Sequence, residues 1–82
     1  MIRVQLFASL KDAAGESFVE LPLSDQVTVA EVFTSLVAKF PELEHYRSVV
    51  LTAVNEEYAG WDTPVGPDDA VAFFPPVSGG EI

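Results

Sequence analysis

Apolar and polar side chains alternate from the start of the chain, with Ile2, Val4 and Leu6 on one side and Arg3, Gln5 and Phe7 on the other. A period of two predicts a strand with one buried face. Lys11 to Glu16 reads as a polar turn containing Gly15, and Val19, Leu21 and Leu23 supply the inward side of a second strand. Residues 1–23 are therefore expected to form a hairpin with an aliphatic core face. The period then changes to that of a helix: Val29, Val32, Phe33, Leu36, Val37 and Phe40 fall on one stripe, and Glu31, Thr34, Ser35 and Lys39 face away. Thr28-x-x-Glu31 is a capping box and Val27 can staple onto Val32, so the helix is expected to start at Thr28. Pro41 disfavours helical geometry at Phe40 and sets the end.

Beyond the helix, Leu43 to Tyr46 suits one irregular turn, and the β-branched, apolar run Val49 to Val54 suits a third strand. Asn55-Glu56-Glu57 turns the chain, Tyr58 and Ala59 suit a short strand, and Gly66-Pro67-Asp68-Asp69 is a strong turn before a last strand, Ala70 to Phe74. Strand, strand, helix, strand, short strand, strand is the order of an α+β, β-grasp (ubiquitin-like) architecture, a mixed sheet of about five strands wrapped around one main helix. The crossover preference makes the first and last strands central, parallel neighbours. The reading divides the chain into a β-grasp domain over 1–76 and a flexible tail over 77–82.

Composition narrows the function. With 82 residues the chain makes one domain, and a domain this small buries only about 60–65% of its unfolded surface, which favours association with a partner. The formal net charge of −9 repels phosphate backbones and anionic membranes, so nucleic acid and membrane surfaces are unsuitable partners and a basic docking surface is a suitable one. The chain has no cysteine, which rules out a thiol nucleophile, thiolate metal sites and disulfides. It shows neither a signal-peptide pattern nor a run near the ~18 apolar residues of a membrane span, and a cytoplasmic setting is expected. His45 has no second histidine or cysteine to make a metal site, and no metal is expected.

The closing segment Phe73-Phe74-Pro75-Pro76-Val77-Ser78-Gly79-Gly80 is built to enter another protein. Pro75 and Pro76 fix φ and remove two backbone donors, which stops the sheet ladder and favours an extended exit. Gly79 and Gly80 have no Cβ, so the backbone can pass through a slot too narrow for side chains. A carboxylate on Gly80, once adenylated, is open to attack by a sulfur donor, which leaves a C-terminal thiocarboxylate; in a chain without cysteine, sulfur chemistry must use the terminus. Strand parity adds a docking surface: with Leu6 and Phe73 inside, Phe7 and Phe74 face outward on neighbouring strands as an aromatic patch. The sequence leaves Trp61 open between an interface anchor and a cap on the core.

Ile2-x-Val4-x-Leu6-Phe7-Ala8-x-Leu10-Lys11 with Gly15, Thr28-Val29, Ala53-Val54-Asn55-Glu56-Glu57-Tyr58 and above all Val71 to Gly80 resemble the MoaD family, the small sulfur-carrying subunits of molybdopterin synthase. The resemblance covers essentially the whole chain. It implies that an ATP-dependent, ubiquitin-activating-like adenylyltransferase activates the C-terminal glycine, that Gly80 bears the sulfur and Gly79 gives the thin approach, and that the tail passes sulfur to cyclic pyranopterin monophosphate within the large subunit. It also implies a non-catalytic small subunit with no bound cofactor, ATP being used by the activating enzyme, in a two-plus-two heterotetramer. The expected partner-binding residues are Phe7, Tyr58, Phe74, Pro75, Pro76, Val77 and Ser78, with Lys11 at a position where the family tends to place a basic residue.

Glu81-Ile82 departs from the family pattern, in which the second glycine ends the mature chain. Trimming by a protease, continuation into a further domain, and loss of sulfur transfer all account for it, with trimming favoured. A sulfur carrier for thiamine or tRNA thiolation, a protein-conjugating modifier and a β-grasp interaction module that is never activated are the competing functions.

Overall fold

The computed structural model describes residues 1–23 and 25–76. The first strand, β1 (Ile2–Leu6), buries Ile2, Val4 and Leu6 as its alternation predicts. The link to the second strand differs from the expected turn: Ala8–Ala14 coils into a short helix, α1, which closes at Gly15 with φ 80. The physical reason is composition. Leu10, Lys11, Ala13 and Ala14 are strong helix formers, and coiling brings Leu10 fully into the core. Gly15 is thus the left-handed residue that ends a helix, its N–H donating to the Lys11 carbonyl at 2.8 Å. Lys11 sits on a helix rather than in a hairpin turn.

The second strand, β2 (Phe18–Leu21), runs antiparallel to β1 and turns Val19 and Leu21 inward. A two-residue strand, β3 (Val27–Thr28), leads into the main helix, α2 (Val29–Lys39). The capping box is present: the Glu31 N–H donates to Thr28 Oγ1 at 3.3 Å, and the Thr28 N–H donates to Glu31 Oε1 at 2.9 Å. Carbonyls of a distant loop take the next two donors of the helix start, Val29 N–H to Thr63 O and Ala30 N–H to Trp61 O, each at 3.0 Å. Val29, Val32, Phe33 and Leu36 are buried, and Val37 and Phe40 pack against them.

After Pro41 the chain winds into a 3₁₀ helix, Pro41–Tyr46, that buries Leu43. The next strand, β4, covers only Leu51–Val54. Val49 and Val50 are held out of it because both N–H groups donate to the Tyr46 carbonyl, at 3.0 and 2.8 Å, so β-branched character yields there to a turn. β5 (Glu57–Ala59) returns along β4 through Asn55 and Glu56, at φ 49 and φ 72. Two consecutive positive φ values match the right-handed twist of a hairpin. β6 (Pro64–Val65) pairs with β3, and β7 (Ala70–Phe74) closes the fold.

The sheet order is β2-β1-β7-β4-β5, with β1 and β7 parallel and all other pairs antiparallel. The expected central, parallel first and last strands are therefore observed, and β3–β6 is a small second sheet. α2 fills the concave side, where Phe33 meets Phe73 edge-on at 5.2 Å between ring centroids. Trp61 also meets Phe33 edge-on, at 5.6 Å, and the Arg47 guanidinium lies 5.3 Å above the same ring. Trp61 therefore packs as a cap on the core.

Candidate functional site

Among the described residues, no element covers the other side of the sheet. Register makes it a lattice of outward residues. Phe18, Gln5, Ala72, Ala53 and Tyr58 line up in one row across the five strands, because Phe18 pairs with Gln5, Gln5 with Ala72, Ala72 with Ala53, and Ala53 with Tyr58. A neighbouring row holds Glu20, Arg3 and Ala70, and on the opposite side Leu51 pairs with Phe74. Alanines therefore make a low floor along the middle of the sheet, and aromatic rings stand around it. The result is a shallow hollow of about 500 Å³ lined by Phe7, Phe18, Phe74 and the three alanines, with Arg3, Asn55 and Glu56 on its polar margin.

The rings differ in how they are held. Phe7 and Phe74 stack face to face at 4.7 Å between centroids with their planes 6° apart, and both are half-buried. Phe18 is 63% exposed and Tyr58 86% exposed. Two large, exposed rings and Leu51, 41% exposed, on one sheet face form an apolar surface of the kind that marks a protein contact. Phe7 and Phe74 are thus on one face, as parity predicted, and Tyr58, expected from the family resemblance, stands on the same face. Phe18 and Leu51 are additions; the inward turn of Val19 and Leu21 already implied that Phe18 points out.

Lys11 is exposed on α1 and does not line the hollow. Pro75 is half-buried and Pro76 exposed, directly after Phe74 at the end of the central strand. Val77, Ser78, Gly79 and Gly80 lie outside the described residues, as do Glu81 and Ile82.

One polar clamp fixes the far end of this face. Asn55 donates from Nδ2 to Asp69 Oδ1 at 3.0 Å and accepts the Ala70 N–H at 3.0 Å, while Gly66 N–H donates to Asp69 Oδ2 at 2.7 Å. The Gly66 amide first, then Asn55, holds the Asp69 carboxyl below its ordinary pKa, because both donors favour the charged form. Away from the face, Arg47 forks onto Glu44 with bonds of 2.9 to 3.1 Å and lowers that carboxyl's pKa. His45 lies 3.9 Å from Glu42 in solvent. Among the described residues, no group of three or more His, Cys, Asp or Glu side chains is placed to hold a metal ion. No helix among them is long and apolar enough to cross a membrane.

A mixed five-stranded sheet wrapped around one helix, with a central last strand leading into a diproline, defines a ubiquitin-like β-grasp protein. The chain belongs to the ThiS family, whose description matches residues 4–80. It is a homologue of the molybdopterin synthase sulfur carrier subunits. The one from Arabidopsis thaliana is 39% identical over 79 residues, covering 96% of this chain and 82% of the relative. The one from Escherichia coli (strain K12) is 34% identical over 82 residues, covering 98% and 100%. Among solved structures, the crystal structure of SAMP1 from Haloferax volcanii superposes with a TM-score of 0.82 at 28% identity, covering 95% of this chain and 97% of that one.

Proposed function

We propose that this chain is the sulfur carrier subunit of a molybdopterin synthase, acting through a thiocarboxylate on Gly80 after removal of Glu81-Ile82. The observation that supports it most directly is the continuity of the aromatic-framed face with the tail. β7 runs along the middle of the apolar floor, ends in the stacked ring of Phe74, and passes at once into Pro75 and Pro76. A partner seated on that face would meet the tail where it leaves the domain. The partners under this reading are the large synthase subunit, in a two-plus-two assembly, and an ATP-dependent adenylyltransferase. The domain needs no bound cofactor of its own, and the setting is cytoplasmic.

The chemistry requires little from the domain. The Gly80 carboxylate attacks the α-phosphorus of ATP and releases pyrophosphate, and a hydrosulfide-level sulfur nucleophile then displaces AMP from the acyl adenylate. The product carries the sulfur into the large subunit, which holds the catalytic side chains. The test is intact mass spectrometry of the chain ending at Gly80, incubated with the activating enzyme, ATP and sulfide. The expected result is a gain equal to the oxygen-to-sulfur difference, absent from the chain that keeps Glu81-Ile82. An unchanged mass for both chains overturns the reading. The likeness to a small archaeal modifier protein favours a second reading, protein conjugation, which predicts adducts on target lysines in the same experiment.

A further inference from the structure

We infer that the free edge of β2 is a strand-addition site: it takes one extended segment of the protein that seats on the aromatic face, running antiparallel to β2 with a basic residue opposite Glu20 and an apolar one opposite Phe18. β2 is one of the two edges of the sheet, and its register with β1 fixes which backbone groups point off that edge. The Leu6 N–H donates to the Ser17 carbonyl at 2.9 Å, and bonded and non-bonded pairs alternate along an antiparallel ladder. Val19 and Leu21 therefore bond to Val4 and Ile2, while the N–H and C=O groups of Phe18 and Glu20 face outward. No backbone group among the described residues takes them. Pro22, the next outward position, has no N–H to offer, so an added ladder ends at Glu20 and its register is set. The other edge offers less: Val54 pairs with Glu57 across a two-residue turn, so in β5 only Tyr58 turns both groups outward, and the Gly60 N–H beyond it is taken by Thr63 Oγ1 at 3.0 Å.

The surroundings of the edge state what fits it. Sheet edges are commonly guarded by a lysine, a proline or a bulge, and Phe18–Leu21 contains none of these. Phe18 belongs both to the edge and to the aromatic row, so a strand added here extends the docking face by one spacing of ~4.8 Å without a gap. Beside Phe18 the edge presents Glu20; Arg3 stands across from it in β1, but no ion pair joins the two among the described residues. Glu20 is thus left to a cation from outside. Alternation turns the segment's middle residue toward the hollow of about 470 Å³ between this edge and the end of α2, where Lys39 and Phe40 suit an apolar or acidic side chain and repel a basic one. A second copy of the chain is a poor occupant, because it brings two bodies of formal charge −9 together. In strand addition of this kind backbone bonds give affinity and alternate side chains give specificity. The inference rests on the carrier reading only for the partner tested first.

The first arm of the test uses the large subunit of molybdopterin synthase. At saturation, amide hydrogen exchange at Phe18 and Glu20 is expected to slow by about tenfold or more. Glu20→Pro removes the outward N–H and leaves the β1 ladder intact, and it is expected to weaken binding about tenfold, against about threefold for Glu20→Gln, which removes only the charge. Urea unfolding through Trp61 verifies the fold of each variant. The second arm uses the blocked peptide acetyl-Thr-Thr-Lys-Thr-Phe-Thr-Thr-amide and its twin with Glu in place of Lys. The lysine peptide is expected to shift the Phe18 and Glu20 amide resonances and to bind about threefold tighter than its twin, and Glu20→Lys is expected to reverse that preference. Unchanged exchange at both amides in a saturated complex overturns the inference, as does equal weakening by Glu20→Pro and Glu20→Gln. Concentration-dependent slowing in the chain alone overturns it too, in favour of a second copy. A large subunit that binds no form of the chain overturns the carrier reading, and the peptides then decide the edge: a lysine preference reversed by Glu20→Lys sustains strand addition, and no shift with either peptide overturns it.

Discussion

Replacing Ala72 with arginine tests whether the bare sheet face is where a partner binds. Ala72 stands at the middle of the row that runs from Phe18 to Tyr58, four strand spacings or about 19 Å from end to end, so it lies under the centre of any partner seated on the face. Its side chain points away from the core, and the buried neighbours in β7 are Val71 and Phe73 on the other side. The fold should therefore feel the change by no more than about 0.5 kcal/mol, the usual range for a surface position. The interface should feel it far more. An unpaired charge pressed into the dry centre of a contact costs about 3–5 kcal/mol, which weakens the dissociation constant by two to more than three orders of magnitude. Isothermal titration with the large subunit of molybdopterin synthase measures binding. Urea unfolding followed through Trp61, the chain's single tryptophan and in edge contact with Phe33, measures stability. Ala72→Glu separates desolvation from charge sign: an equal loss assigns the effect to burial, and a smaller one to a basic partner surface. A dissociation constant within threefold of the parent, at unchanged stability, refutes the placement of the interface.

Two further outcomes are expected. Asn55→Ala removes both side-chain bonds of the clamp and leaves a Cβ at φ 49, so it should cost about 2–3 kcal/mol in urea unfolding, while Asn55→Gly, free of the left-handed strain, should cost about 1 kcal/mol less; equal losses would show that the turn carries no strain. Asp69 has a depressed native-state pKa, so its contribution to stability is fully present above the unfolded-state value and is lost as pH falls through the lower native value; Asp69→Asn should flatten that acid limb of a stability-versus-pH curve, and an identical curve would remove the clamp from the account.

Local signals in the sequence were strong where the chain follows one rule over several residues. Period two located β1, the Gly66–Asp69 turn located the start of β7, and the capping box with Pro41 bracketed α2 within a residue. α1 escaped because seven residues with one deeply buried side chain, Leu10, show no helical period, and because Gly15 reads equally as a turn or as a helix end. Val49 and Val50 misled through intrinsic preference, which the Tyr46 carbonyl overrode. For the site, parity alone gave Phe7 and Phe74. The row that joins Phe18 to Tyr58 was not legible, since inter-strand register is set by pairings between residues up to 67 apart, such as Gln5 with Ala72. Trp61 was undecided for the same reason: its place on Phe33 depends on a loop closing over the start of a distant helix, Trp61 O accepting from Ala30 N–H.

The parallel pairing of β1 and β7 also governs how the domain bears mechanical load. A pull on the chain beyond Phe74 runs along the axis of β7, which is bonded to β1 on one side and to β4 on the other. Both ladders are then loaded in shear, so their bonds share the force and must yield together, whereas an edge strand pulled the same way would have a single ladder to bear it. A segment drawn into a partner's slot can thus be held under tension by the sheet that presents it, and released intact.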